Sequence, residues 1–149
     1  MKIDLVAVSK KAHSWVNHGY YEYAKRMPPD YQLNLIEIPR PKRSKKANIT
    51  NIIEREGKKI NNVISPNSYV IALDEHGSLW NTLELAKQLQ SWHATYQHIT
   101  LLIGGPEGLA PSCLQKAQLK WSLSPLTFPH TVVRIIVAEQ LYRAWTVLN

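Results

Sequence analysis

Two periodicities organise the chain. Lys2–Val8 (Ile3, Leu5, Val6, Val8), Tyr69–Leu73 and Ile99–Ile103 are short apolar runs that read as strands. The last two are so continuously apolar that both of their faces must be covered, as in a parallel sheet. Gln32–Ile38 alternates through Leu33, Leu35 and either Ile36 or Ile38, and Leu119–Leu123 makes a last short strand. Helical spacing occupies the intervals. One helix is predicted over Ser14–Met27, with Ser14 as N-cap and Pro28-Pro29 as the stop. The next opens at Asn48 or Thr50 and carries Ile49, Ile52, Ile53, Ile60 and Val63 on one side, with Gly57 weakening it by about 1 kcal/mol relative to alanine. Further helices are predicted from Thr82 to about Tyr96, from Leu109 to Gln118 with an early interruption at Pro111, and from His130 to Leu148. The third strand ends at Asp74, and a loop runs on through His76, Gly77 and Trp80.

Strand and helix therefore alternate five times, which predicts one α/β domain over residues 1–149: an open parallel sheet with helices on both faces. The last helix departs from the usual single apolar stripe. Val132, Val133, Ile135, Ile136, Val137, Ala138, Leu141, Tyr142, Ala144 and Trp145 occupy most of its circumference. Such a helix is either deeply internal or meets another subunit. Its terminal position in a small domain favours a homodimer interface.

Composition narrows the class. At 149 residues, 44% hydrophobic and 19% charged, the chain can bury a substantial core and is neither disordered nor coiled-coil. No apolar run approaches the roughly 20 residues of a membrane span, and Met1–Val8, broken by Lys2 and Asp4, does not read as a signal peptide. A lone Cys113 excludes a disulfide framework and a multi-cysteine zinc site, which implies a reducing, cytoplasmic compartment. The net charge of +7 is unevenly placed. Residues 1–60 hold 13 Lys/Arg against 6 Asp/Glu, whereas residues 61–149 hold 5 of each. Arg40, Lys42, Arg43, Lys45 and Lys46 put five cations in seven positions, a cluster that attracts a polyanion or merely solvates a loop.

Ligands of open α/β sheets bind beyond the carboxyl ends of the strands. Three loops leave such ends: Leu73-Asp74-Glu75, Ile103 through Gly108, and Ser122 through Pro129. Glycines 104, 105 and 108 let a ligand approach backbone, and Pro125 and Pro129 stiffen the third loop. The phosphate cradles of P-loop and dinucleotide enzymes are missing, as are a Gly-x-Ser-x-Gly elbow and a His-Glu-x-x-His pair. Asp74-Glu75 and His130 are candidate ligand contacts, and equally a turn and a surface histidine.

Leu101-Leu102-Ile103-Gly104-Gly105-Pro106-Glu107-Gly108, Trp121-Ser122-Leu123-Ser124-Pro125-Leu126-Thr127-Phe128-Pro129-His130, Val133-Arg134 and Glu139-Gln140-Leu141-Tyr142-Arg143-Ala144-Trp145 closely resemble the bacterial large-subunit rRNA pseudouridine N3-methyltransferase family, the small single-domain members of the SPOUT class. Lys2 to Val8, and Ile36-Glu37-Ile38-Pro39 followed by Lys42-Arg43, fit as well. The resemblance spans essentially the whole chain. It implies a C-terminal trefoil knot, which the strand pattern alone does not propose because knots are nearly absent among folds. It also implies S-adenosylmethionine as cofactor, no metal, a homodimer, and methylation of a pseudouridine in a 23S rRNA stem-loop on the assembled ribosome. The implied cofactor contacts are Leu73, Gly105 and Ser124, Pro125, Leu126, Thr127, Phe128 and Pro129. The imide nitrogen must lose a proton. His130, Arg134 and Arg143 are the candidates to assist, with Glu107 a weaker one. Family members continue past the last helix into a tail rich in His, Tyr and Arg, where this sequence stops at Asn149. Either the natural end is missing from this sequence or the protein has lost the tail, and in the second case the alternative expectation is a non-catalytic ribosome-binding SPOUT protein.

Overall fold

A computed structural model describes residues 1–9, 13–40 and 48–149. The chain runs β1 (Lys2–Ser9), α1 (Ser14–Ala24), β2 (Gln32–Pro39), α2 (Ile49–Val63), β3 (Tyr69–Leu79), α3 (Thr82–Thr95), β4 (His98–Ile103), α4 (Pro111–Lys116), β5 (Leu119–Ser122) and α5 (His130–Leu148). The five strands form one sheet in the order β2-β1-β4-β3-β5, with every pairing parallel.

The apolar strands are continuous because successive residues enter different cores. Ile3, Leu5 and Ala7 face one cluster with Ile71, Leu101 and Ile103. Val6 and Val8 face the other with Val70 and Leu102. Helices α1, α3 and α5 cover the first face, and α2 and α4 the second. Helix α5 lies between α1 and α3. Its Val137, Ala138, Leu141 and Ala144 are fully buried against the sheet. A Cβ on Gly19 of α1 would meet Ile135 Cδ1 at 2.8 Å, and Thr82 Oγ1 donates to Gln140 Oε1 at 3.0 Å from the α3 side. The first of the expected reasons for its broad apolar surface accounts for most of it: the helix is internal on three sides, while Val132, Ile136 and Val147 stay partly uncovered on the fourth.

Local chemistry explains most boundaries. Asn48 caps α2 by accepting from Thr50 N at 2.9 Å. A reciprocal Asn81–Glu84 capping box opens α3. Pro111 starts α4 at its first turn, where a missing N–H costs nothing, and does not interrupt a longer helix. His13, not Ser14, holds the cap position of α1. That helix stops at Ala24, and Arg26 N and Met27 N then bond to Tyr23 O and Ala24 O in a tighter turn. Ile49, expected on the apolar side of α2, is 56% exposed. Gly57 is more than a weak point, since a Cβ there would lie 2.6 Å from Ala110 Cβ; it lets α2 close on the start of α4.

The largest departure is β3, which extends past Asp74 to Leu79. Its first part pairs Ile71–Leu73 with Leu119–Trp121. The register then shifts, and Ser78 faces Trp121 again. A Cβ on Gly77 would sit 2.5 Å from the Lys120 carbonyl carbon, so only glycine admits this close crossing of backbones. Asp74 and Glu75 therefore lie in a bulge beside the strand ends.

Candidate active-site cleft

The three loops singled out from the sequence converge at the carboxyl edge of the sheet. They enclose two adjoining cavities, which share Leu73, Asp74, Glu75, Thr127, Phe128 and Val133. The larger is closed by Ile103 through Leu109 and by His130, the smaller by Trp121 through Ser124 and Leu126.

The glycine turn is built for closeness. Gly108 N donates to Gly105 O at 2.9 Å across Pro106-Glu107, and Gly108 has φ +89°, which L side chains rarely adopt. A Cβ on Gly104 would meet the Gly108 carbonyl carbon at 2.7 Å. Gly105 is different. Its Cβ would point to the Glu56 carboxylate at 3.2 Å and Val8 Cγ1 at 3.5 Å, on the α2 side and not into the cleft. Gly105 thus offers backbone to a ligand while its missing side chain makes room for α2.

In the third loop, Ser124 Oγ accepts from Leu126 N at 3.0 Å, and Ser122 Oγ donates to Ser124 O at 3.3 Å. Ser124, Leu126, Thr127 and Phe128 line the cleft. Pro125 and Pro129 are exposed and lie outside its lining, where they stiffen the chain on either side. Pro129 sits at the cap position of α5, and its carbonyl accepts from Val132 N and Val133 N.

Three candidate proton-handling residues occupy three different settings. His130 lines the larger cavity. Burial, then the nearby Arg134 and Arg40 charges, hold its pKa below the ordinary 6.5. Arg134 is 0% exposed and roots α5 in the sheet: Nη2 donates to Ser9 Oγ at 2.8 Å and Nη1 to Glu37 Oε1 at 3.0 Å. Arg143 is exposed and donates from Nε to Glu139 Oε1 at 2.8 Å. It lies about 20 Å along the helix from His130 at 1.5 Å per residue. Within one chain, Arg143 does not join the cleft.

Of the basic cluster, Lys42, Arg43, Lys45 and Lys46 lie outside the described residues. Arg40 is not a free surface cation. Its Nη2 is 3.3 Å from Glu107 Oε1, with both side chains about 85% buried, so it braces the glycine turn against the end of β2. Val133, Trp121 and Leu109 also line the cleft, although along the chain they read only as positions within a helix or strand. Among the described residues, no group of three or more His, Cys, Asp or Glu is placed to hold a metal ion, and no helix is long and apolar enough to cross a membrane.

The His130 shift has a measurable consequence. Its folded pKa lies below the unfolded one, so as pH falls the unfolded chain takes up the proton first. Stability is kept above about pH 6.5 and lost as pH drops through the lowered value. His130→Asn removes that titration and should show a smaller loss of Tm between pH 7 and pH 5. Tm–pH curves parallel to the wild type would mean that His130 titrates alike in both states.

Comparison with known proteins agrees with this architecture. The family model described as "Predicted SPOUT methyltransferase" matches residues 1–149. Proteins named ribosomal RNA large subunit methyltransferase H are 49% identical in Thioalkalivibrio sulfidiphilus, 47% in Hahella chejuensis and 44% in Pseudomonas putida, in each case over all of this chain and 96% of the relative. Two solved structures share the fold. A probable methylase family protein from Haemophilus influenzae has a TM-score of 0.59 and 18% identity over 99% of this chain and 67% of its own. A Legionella pneumophila structure described as a methyltransferase with bound cofactor SAM has a TM-score of 0.51 and 12% identity over 97% of this chain and 66% of its own. With its parallel sheet, its convergent C-terminal loops and a family match from first residue to last, the chain belongs to the SPOUT methyltransferase family.

Proposed function

We propose that this chain methylates N3 of a pseudouridine in a 23S rRNA stem-loop on the assembled ribosome, in the cytoplasm, using S-adenosylmethionine. The observation that carries the reading is the convergence of three loops, distant in sequence, on one cleft at the strand ends. The names of the full-length relatives support the substrate class.

The residues present suit the cofactor. Leu73, Phe128, Val133 and Leu109 offer apolar walls for a purine, and the glycine turn and the Ser124–Thr127 backbone offer polar groups without bulk. S-adenosylmethionine supplies an activated methyl group on a sulfonium, so the chain's own work is positional. It aligns the base nitrogen with the methyl carbon and helps the imide proton leave. A neutral His130 beside the cleft is suited to take that proton. Arg134 acts on it from behind, by charge and by anchoring the helix.

A homodimer fits the outward stripe of α5, where Val132, Ile136, Glu139, Arg143 and Val147 recur at helical spacing; Trp15 and Tyr21 of the neighbouring α1 are exposed as well. In a pair of chains packed on that stripe, Arg143 serves the cleft of its neighbour. A trefoil knot fits the path of the chain, which reaches the sheet edge at β5 and returns through the Ser124–Pro129 loop to the middle of the opposite face as α5.

The test is methyl transfer from labelled S-adenosylmethionine to intact ribosomes, with the nucleotide located by mass spectrometry. Labelled N3-methylpseudouridine is the expected product. Cofactor binding without transfer would leave only a ribosome-binding protein. Replacing Lys42, Arg43, Lys45 and Lys46 together by glutamine should weaken ribosome binding about tenfold or more and flatten its salt dependence by up to about 3 in the log–log slope. Cofactor affinity should stay within twofold. Unchanged ribosome affinity would reduce the cluster to a solvated loop.

A further inference from the structure

We propose that Asp74 makes the cleft selective for the positively charged sulfonium donor over the neutral thioether that remains after transfer, an inference that rests on the cofactor reading above. Asp74 sits where β3 slips register against β5, on the wall common to both cavities. It is half-buried, and no described residue pairs with it. The other acidic groups of the cleft are paired or, in the case of Glu75 on the same wall, open to solvent that screens them. Glu107 is held by Arg40, and Glu75 is exposed beside His76 at 3.4 Å. His130 is the lining residue that could carry positive charge, and burial with its arginine neighbours disfavours that form. At neutral pH the uncompensated charge of the cleft is therefore negative and centred on the Asp74 side.

The chemistry gives that charge a specific use. Transfer forms an N–CH3 bond with the nitrogen lone pair and breaks the S–CH3 bond, whose electron pair stays on sulfur. The imide proton leaves to a base. Donor and product share the same adenosine, ammonium and carboxylate, and differ by one methyl and one unit of charge at sulfur. A carboxylate within a few ångströms of the sulfur in a partly desolvated cleft distinguishes them by about tenfold in affinity. A carboxylate serving the ammonium group instead acts on both alike.

Calorimetry separates these cases. Wild type, Asp74→Asn, Asp74→Glu and Glu75→Gln are titrated with S-adenosylmethionine and with S-adenosylhomocysteine, and thermal melts verify folding. In Asp74→Asn, S-adenosylmethionine affinity should fall about tenfold while S-adenosylhomocysteine stays within twofold. Asp74→Glu, which keeps the charge, should hold the wild-type ratio, and Glu75→Gln should move it less than threefold. Sinefungin, whose ammonium replaces the charged sulfonium centre, should follow S-adenosylmethionine. Equal losses for both ligands, or an unchanged ratio in Asp74→Asn, overturn the inference and leave the cofactor reading standing. A wild-type protein that binds neither ligand overturns the cofactor reading, and this inference falls with it.

Discussion

Arg134→Ala should melt about 10 °C below the wild type. The guanidinium lies at zero exposure in the helical face of the sheet and ties α5 to the ends of β1 and β2 through Ser9 and Glu37. Truncation leaves the buried Ser9 hydroxyl without its donor and opens a cavity under the first turns of α5. Together these cost about 3–4 kcal/mol, and in a domain of this size each kcal/mol moves Tm by about 3 °C. The arginine is not wholly favourable, because its Nε finds no partner among the described residues and the whole group is desolvated. Arg134→Met, which fills the volume without the charge, should therefore recover more than half of the loss, helped by a Glu37 side chain that is 39% exposed and can hydrate. The same variant tests the proton-handling role. Removing the Arg134 charge should raise the His130 pKa towards its ordinary value, as followed by NMR titration. If Arg134→Ala keeps the wild-type Tm and the His130 titration stays put in Arg134→Met, the residue acts neither as anchor nor as electrostatic neighbour.

What could be read along the chain were features enforced by nearby residues. β1, the first part of β3 and β4 announce themselves because both of their faces are covered, so each position is apolar whichever way it points. That three loops meet at one edge followed from the rule that strand ends make sites, and Leu73, Gly105 and Thr127-Phe128 line the cleft they enclose. The features that escaped depend on partners far along the sequence. Arg40 reads as one more cation of a basic run, and only the fold brings it to Glu107, 67 residues on. Arg134 meets Ser9 across 125 residues. Asp74 to Ser78 is polar and contains a glycine, the usual signature of a loop, yet β5 recruits it into the sheet across a register shift. Gly77 and Gly57 look like conformational hinges in isolation and turn out to be places where another part of the chain presses close.

The glycine turn gives a prediction in which the structural account and the simpler one from sequence part company. If glycines 104 and 105 were both required because a side chain would occupy ligand space, Gly105→Ala would be the more damaging change, since Gly105 carries the implied cofactor contact. The geometry predicts the reverse. A Cβ at 104 is 2.7 Å from the carbonyl carbon of Gly108 and 2.8 Å from Leu109 N, and backbone held by the Gly108 N–Gly105 O hydrogen bond cannot step aside without opening the turn. At 105 the nearest atoms are the Glu56 carboxylate oxygens at 3.2 Å, a contact that asks for a shift of a few tenths of an ångström at the end of a side chain and none in the backbone. Gly104→Ala should therefore lose S-adenosylmethionine affinity by about a hundredfold and stability by about 2–3 kcal/mol, whereas Gly105→Ala should lose about tenfold or less. Gly105→Val adds branched methyl groups against Glu56 and Val8 and should fall with Gly104→Ala, through displacement of the turn and not through a blocked cleft. Calorimetry and thermal melts on the three variants give the ranking directly. Should Gly105→Ala abolish binding while its Tm matches the wild type, the side chain at 105 does enter ligand space and the orientation of the turn argued above is wrong.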